Sequence, residues 1–153
     1  MADIILTNIS KSFGDKVLFR EYSLEIEHGD FVAIMGASGS GKTTLLNIMG
    51  LLEKPDSGDI TLCGQKKLSF SSPAANKLRR EKISYLFQNY GLIDTETVEG
   101  NMKIATHFKK LGKRDEQQLI ANALAQVSLQ GYEHRKVYTL SGGEQQRVAL
   151  AKI

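Results

Sequence analysis

The sequence predicts an α/β fold made of an N-terminal antiparallel β-layer, a core built on a parallel sheet, and a helical subdomain. Three observations predict it. DIILTNIS and KVLFREYSLEIE alternate in part between apolar and polar residues, as half-buried antiparallel strands do. Phe31 to Met35 is an apolar run without alternation, the mark of a strand covered on both faces in a parallel sheet, and it leads straight into a glycine-rich loop. From about Thr95 to Leu129 the apolar residues return at helical spacing.

The elements follow in order. SFGDK, with Gly14, turns the first two strands into a hairpin. Beyond the glycine loop, Leu45, Leu46, Ile48, Met49 and Leu52 mark a helix that Pro55, Asp56, Ser57 and Gly58 bring to a stop. Ile60 to Leu62 reads as a short strand. Ser72 and Pro73 supply an N-cap and a first-turn proline for a basic helix through Lys82. Ile83 to Phe87 reads as a second buried strand. Leu119, Ile120, Ala123, Leu124 and Val127 share one helical face, with Gly131 placed to end the helix. A last helix starts at Ser141 and runs to Ile153 without a capping signal. These elements divide the chain into an antiparallel layer over 1–30, a phosphate-loop core over 31–88, and a helical subdomain with its final helix over 89–153.

Composition narrows the classes. The 153 residues and 41% hydrophobic content suit one compact domain or most of a larger one. Twenty basic against 17 acidic residues leave a formal +3, too mild and too evenly spread to argue for nucleic acid or an anionic membrane surface. Cys63 is the single cysteine, which excludes an internal disulfide and reads as a small buried thiol in or beside a strand, at home in a reducing, cytosolic compartment. The start of the chain has no basic region followed by a long apolar core, so no signal peptide is expected. FVAIM and LLNIMGLL fall well short of the ~20 residues of a membrane-spanning helix. His28, His107 and His134 read as surface or helix residues without a chemical role.

Chemistry concentrates in two glycine motifs. Gly36 to Thr43, GASGSGKT, satisfies G-x-x-x-x-G-K-[ST] between an apolar strand and an amphipathic helix, the context that motif requires. Its glycines allow backbone geometry closed to other residues, so successive amides can turn inward around a nucleotide's phosphates. The positive end of the helix faces the same phosphates, Lys42 adds a mobile cation, and Thr43 offers a hydroxyl to Mg²⁺. A loop of this kind names nucleotide binding and leaves the reaction open. The second motif, Leu140 to Arg147 (LSGGEQQR), puts two glycines in the first turn of a helix, where they weaken it. Ser141 and Glu144 form an S-x-x-E capping box, which explains the ends of the motif but not its middle. Without side chains, Gly142 and Gly143 leave the positive helix end open to close approach by an anion.

Taken together, these residues resemble the ABC ATPases. GASGSGKTT is similar to their Walker A loop, Phe87 and Gln88 to their Q-loop, and LSGGEQQR to their signature, in the family's order along the whole chain. The resemblance implies a phosphate-loop (P-loop) NTPase fold that binds ATP and Mg²⁺. It implies that Gly36, Ala37, Ser38, Gly39, Ser40, Gly41, Lys42, Thr43 and Thr44 hold the phosphates and that Phe13 stacks on adenine. Lys42 and Gln88 would take part in catalysis, with Thr43 and Gln88 at the Mg²⁺. Ser141, Gly142, Gly143 and Glu144 would close over ATP held by a second subunit in a head-to-tail dimer. A membrane permease is the implied partner, which places the protein in the cytoplasm, peripheral at the inner face of the membrane. QNYGLIDTETVEGN and Glu144 resemble most the ATPases of lipoprotein release, macrolide export and bacteriocin export.

The family continues past its signature helix to a strand ending in Asp-Glu and then a histidine loop, and neither precedes Ile153. The expectation for residues 1–153 is therefore ATP binding without hydrolysis, because the metal-holding carboxylate and the water-positioning base are absent. The parallel sheet is expected to be incomplete, with an uncovered edge that invites self-association. Three alternatives differ in class. A DNA-repair ATPase of the same family would carry a long insertion, whereas Gln88 and Ser141 stand only 53 positions apart, with no heptads or cysteine pairs between them. A translation-associated module would need a second phosphate loop or a long linker. A plain nucleotide-binding module would use Lys77, Arg79, Arg80 and Lys82 on nucleic acid, but no aromatics interleave them to stack on bases.

Overall fold

The computed structural model describes residues 2–153, which fall into two compact units, 2–83 and 84–153. In the first, β1 (Ala2–Phe13) and β2 (Lys16–Glu27) form the expected antiparallel hairpin around Gly14, and β3 (Ser57–Leu62) pairs antiparallel with the other side of β1. The sheet order is β2-β1-β3. Leu6 and Ile9 of β1 are both fully buried although an odd spacing in a regular strand would point them to opposite faces. A register shift between them, with Asn8 at φ 51°, turns both inward.

Helix α1 (Lys42–Met49) buries Leu45, Ile48 and Met49, which join Leu6, Ile9, Ile60 and Leu62 of the sheet in one core. Helix α2 (Pro73–Glu81) adds Ala75 and Leu78. Ser72 caps α2 as its position suggests, its Oγ accepting from the Ala75 amide at 3.1 Å. Arg79, one of the basic residues of this helix, turns inward: its guanidinium donates to the Leu51 carbonyl at 2.8 Å, to the Phe70 carbonyl at 3.1 Å, and to Asn76. That residue clamps the turn after α1 and does not present a charge for a polyanion.

The parallel strands are where structure and sequence part. Phe31 to Met35 is extended but pairs with nothing, and Phe31 and Met35 are 98% and 88% exposed. Ile83 to Phe87 likewise forms no strand, with Leu86 and Phe87 exposed. A strand forms only where a neighbour supplies backbone donors and acceptors, and no sheet among the described residues includes either run. Cys63 corrects a second expectation. It is exposed in a left-handed turn just past β3, at φ 46°, its amide donating to the Asp3 carbonyl at 2.8 Å.

The second unit is helical. The pattern over 95–129 resolves into α3 (Val98–Thr106), a 3₁₀ turn (His107–Lys109) and α4 (Lys113–Gln126), broken at Lys110, whose φ is 50°. Helix α4 ends before Gly131, with Ser128 at φ 59° in the turn that follows it. Val98, Met102, Ile120, Leu124, Leu129, Leu140 and Val148 make the core, the last from α5 (Gly142–Lys152). Asn101 lies in this core with its polar atoms used: Oδ1 accepts from the Ile93 amide at 2.8 Å, and Nδ2 donates to the carbonyls of Ile93 and Thr97 at 3.0 and 3.1 Å. This pins the stretch after Gln88 to the start of α3.

Candidate nucleotide site

The loop from Gly36 to Gly41 turns the chain from the Phe31–Met35 segment into α1, and only its last residue is buried. Gly41 is that residue and caps the helix in the left-handed region, at φ 96°. A β-carbon there would lie 2.8 Å from Phe19 Cζ and 3.4 Å from Leu18 Cβ. Glycine is thus imposed twice, by the backbone and by β2 packed against it. Helix α1 starts at once, the Leu45 amide donating to the Gly41 carbonyl at 2.8 Å, so the first-turn amides that remain free point toward the loop.

Lys42 folds back over this loop. Its Nζ donates to the carbonyls of Gly36 at 2.9 Å and Ala37 at 2.7 Å, drawing those two oxygens to one cation. Thr43 is exposed on the first turn with its hydroxyl on offer, and Thr44 follows, half-buried. Lys16, at the start of β2, holds the other limb of the loop by donating from Nζ to the Gly39 carbonyl at 2.9 Å. No motif marked Lys16; only its fold position, paired with Phe13 across the hairpin, brings it to the loop. The Phe13 ring is 52% exposed, with the Lys11 ammonium 4.9 Å from its centroid.

Gln88 lies in the second unit, exposed in a turn that follows the Ile83–Phe87 stretch. The signature is in the same unit and has a more definite form. Ser141 caps α5 in a complete capping box: Glu144 Oε2 accepts from the Ser141 amide and hydroxyl, both at 2.8 Å, and the Glu144 amide donates back to Ser141 Oγ at 3.4 Å. Glu144 Oε1 also accepts from the Tyr132 phenol at 2.9 Å, and the Arg135 guanidinium stacks 4.0 Å from the Tyr132 ring. These bonds, first the Ser141 amide, then its hydroxyl and the phenol, hold the Glu144 carboxyl down at about 2. A β-carbon on Gly142 would meet nothing within 4 Å, and one on Gly143 only the tip of Arg147 at 3.9 Å. Nothing inside this chain demands glycine at either place.

A family model described as ABC transporter matches residues 19–153. The chain belongs to the ABC transporter family. Macrolide export ATP-binding/permease protein MacB of Escherichia coli is 38% identical over 153 residues, which cover 97% of this chain and 24% of that protein. The dimeric structure of MJ0796, a bacterial ABC transporter cassette, matches with a TM-score of 0.86 at 35% identity, over 97% of this chain and 68% of that one. A second structure of the same cassette, in a post-hydrolysis state bound to ADP and Pi, matches with a TM-score of 0.87 at 34% identity.

This ABC transporter chain therefore has the α/β phosphate-loop fold of the ABC ATPase cassettes, and it spans about a quarter of the length of the MacB relatives. No helix among the described residues is long and apolar enough to cross a membrane.

Proposed function

We propose that this chain is the nucleotide-binding part of an ABC transporter's ATP-binding subunit, that it holds ATP with Mg²⁺ on residues 36–44, and that the intact protein couples ATP binding and hydrolysis to transport by a membrane permease. The observation that carries this reading is the Gly41–Lys42 junction. There a glycine that no other residue can replace opens a helix over a loop whose rim is gathered by a mobile ammonium. Amide donors, the positive helix end and one cation converge there on a position suited to a polyphosphate.

The residues fit the ligand's chemistry. Loop amides and Lys42 would hold the phosphates, and the exposed Phe13 face would cover adenine. Thr43 would offer its hydroxyl to the Mg²⁺. No group of three or more acidic, histidine or cysteine side chains suited to a metal occurs among the described residues. Phosphate oxygens and water would then complete the shell, as is usual for Mg²⁺. The bound ion would neutralise charge on the phosphates as the γ-phosphoryl leaves.

Two features of the signature support a role across a head-to-tail pair of subunits. Gly142 and Gly143 face open space, and the capping box fixes the start of α5 independently of them. Their freedom suits a phosphate brought by a partner subunit, with Ser141 supplying a hydroxyl. Residues 1–153 alone are expected to bind ATP without turning it over. With the permease as partner, the working protein would sit at the cytoplasmic face of the membrane.

The test is calorimetric titration of MgATP into the wild-type chain and Lys42→Ala. The variant should lose about 2–3 kcal/mol of binding free energy, the scale of a charge-assisted phosphate contact. Equal affinities would contradict the assignment.

A further inference from the structure

The motif assigns one lysine to the phosphate loop, yet two are bound to it. Lys42 takes the carbonyls of Gly36 and Ala37, and Lys16, from the hairpin, takes the carbonyl of Gly39 at 2.9 Å. Gly39 is in the left-handed region at φ 72°, and a β-carbon on it would stand 3.3 Å from Lys16 Nζ. The lysine therefore lies directly against this turn of the loop, on a residue whose backbone few others could adopt.

The consequence follows from peptide geometry. In a trans peptide, the carbonyl of one residue and the amide hydrogen of the next point in opposite directions. An ammonium that holds the Gly39 carbonyl outward thus turns the Ser40 N–H inward across the loop. It lies there, donating to the Ala37 carbonyl at 3.3 Å. The Ala37 oxygen is also held by Lys42, so both limbs of the loop are fixed by cations before any phosphate is present.

We propose that Lys16 is a positioning residue of the phosphate loop, fixing the Gly39–Ser40 peptide with its amide directed across the loop, where a bound phosphate would take that amide over from the Ala37 carbonyl. It rests on the nucleotide-binding reading above and adds a residue that lies outside the loop's motif. The same side chain ties the hairpin end that carries Phe13 to the loop, since Phe13 and Lys16 are register partners. A ligand spanning both regions would meet them already joined.

The experiment compares wild type, Lys16→Met and Lys16→Arg, measuring ADP by fluorescence titration and adenosine by competition, each at several salt concentrations. Lys16 is exposed, so neither variant threatens the core. Lys16→Met should weaken ADP about fivefold, the worth of one modest hydrogen bond, while adenosine is unaffected and Lys16→Arg stays near wild type. The salt dependence should be the same in all three, because the lysine acts on a carbonyl and not on the phosphate. Wild-type affinity for ADP in Lys16→Met would overturn the inference alone. So would equal losses for ADP and adenosine, or a shallower salt dependence in Lys16→Met. Failure of the wild-type chain to bind ADP at all would overturn the underlying reading and this inference with it.

Discussion

Glu144 accepts the amide and the hydroxyl of Ser141 on a single carboxylate oxygen, both at 2.8 Å, and leaves the other oxygen to Tyr132. The signature serine is therefore positioned by a residue three places on, in a bond pattern that requires ionised glutamate. Because the folded carboxyl sits at about 2, below its ordinary 4.5, the stability it adds is complete above the ordinary value and is lost as pH falls from there toward 2. Glu144→Gln should be less stable than wild type near neutrality. The gap should close steadily between about pH 5 and about pH 2 in urea unfolding followed by circular dichroism. A gap that stays constant across that range would deny the carboxylate its role.

Gly143 makes no close internal contact, and Gly142 none at all, so the helix would accept a methyl group at either place. Gly143→Ala should leave the isolated chain as stable as wild type or raise it by about 0.5 kcal/mol, since alanine is the better helix former. The same variant in the intact protein should lose ATP-driven pairing of subunits, measured by size-exclusion chromatography with light scattering. Destabilisation of the chain itself would mean that these glycines serve the fold.

Phe31 and Met35 stand almost wholly in solvent on an extended backbone with no strand beside it among the described residues. Apolar side chains beside unpaired backbone donors form a template for association. The 153-residue chain should self-associate in sedimentation velocity at micromolar concentration, and Phe31→Asp with Met35→Lys should shift it toward monomer. A sharp monomer boundary for wild type would contradict this.

What could be read from the sequence was whatever short-range chemistry determines. The Gly14 turn and the Ser72 and Ser141 caps depend on residues a few positions apart, and each lies where the sequence indicates, whereas α1 buries Leu45, Ile48 and Met49 but ends there and leaves Leu46 and Leu52 exposed. Phe31 to Met35 and Ile83 to Phe87 depend instead on neighbours distant in the chain. Their apolar runs record a preference for burial, which a sheet partner must satisfy. The bulge at Asn8 arises from a left-handed residue with no glycine to announce it, while the break at Lys110 stands two residues before Gly112, the N-cap of α4. Lys16 leaves no mark in the sequence for a related reason. An isolated lysine in a turn carries no pattern, and only the pairing of β1 with β2 brings it to Gly39. Arg79 was visible as a charge, but its inward bonds to Leu51 and Phe70 required the packing of α2.

The central claim is that the amides of residues 39–43 hold the phosphates of ATP. Titrating MgATP into ¹⁵N-labelled chain and following backbone amide resonances tests it most directly. Large saturating shifts are expected for Gly39, Ser40, Gly41, Lys42 and Thr43, with Phe13 shifted by the adenine ring. Resonances of the loop that stay in place at saturating nucleotide, or shifts confined to other parts of the chain, would contradict it.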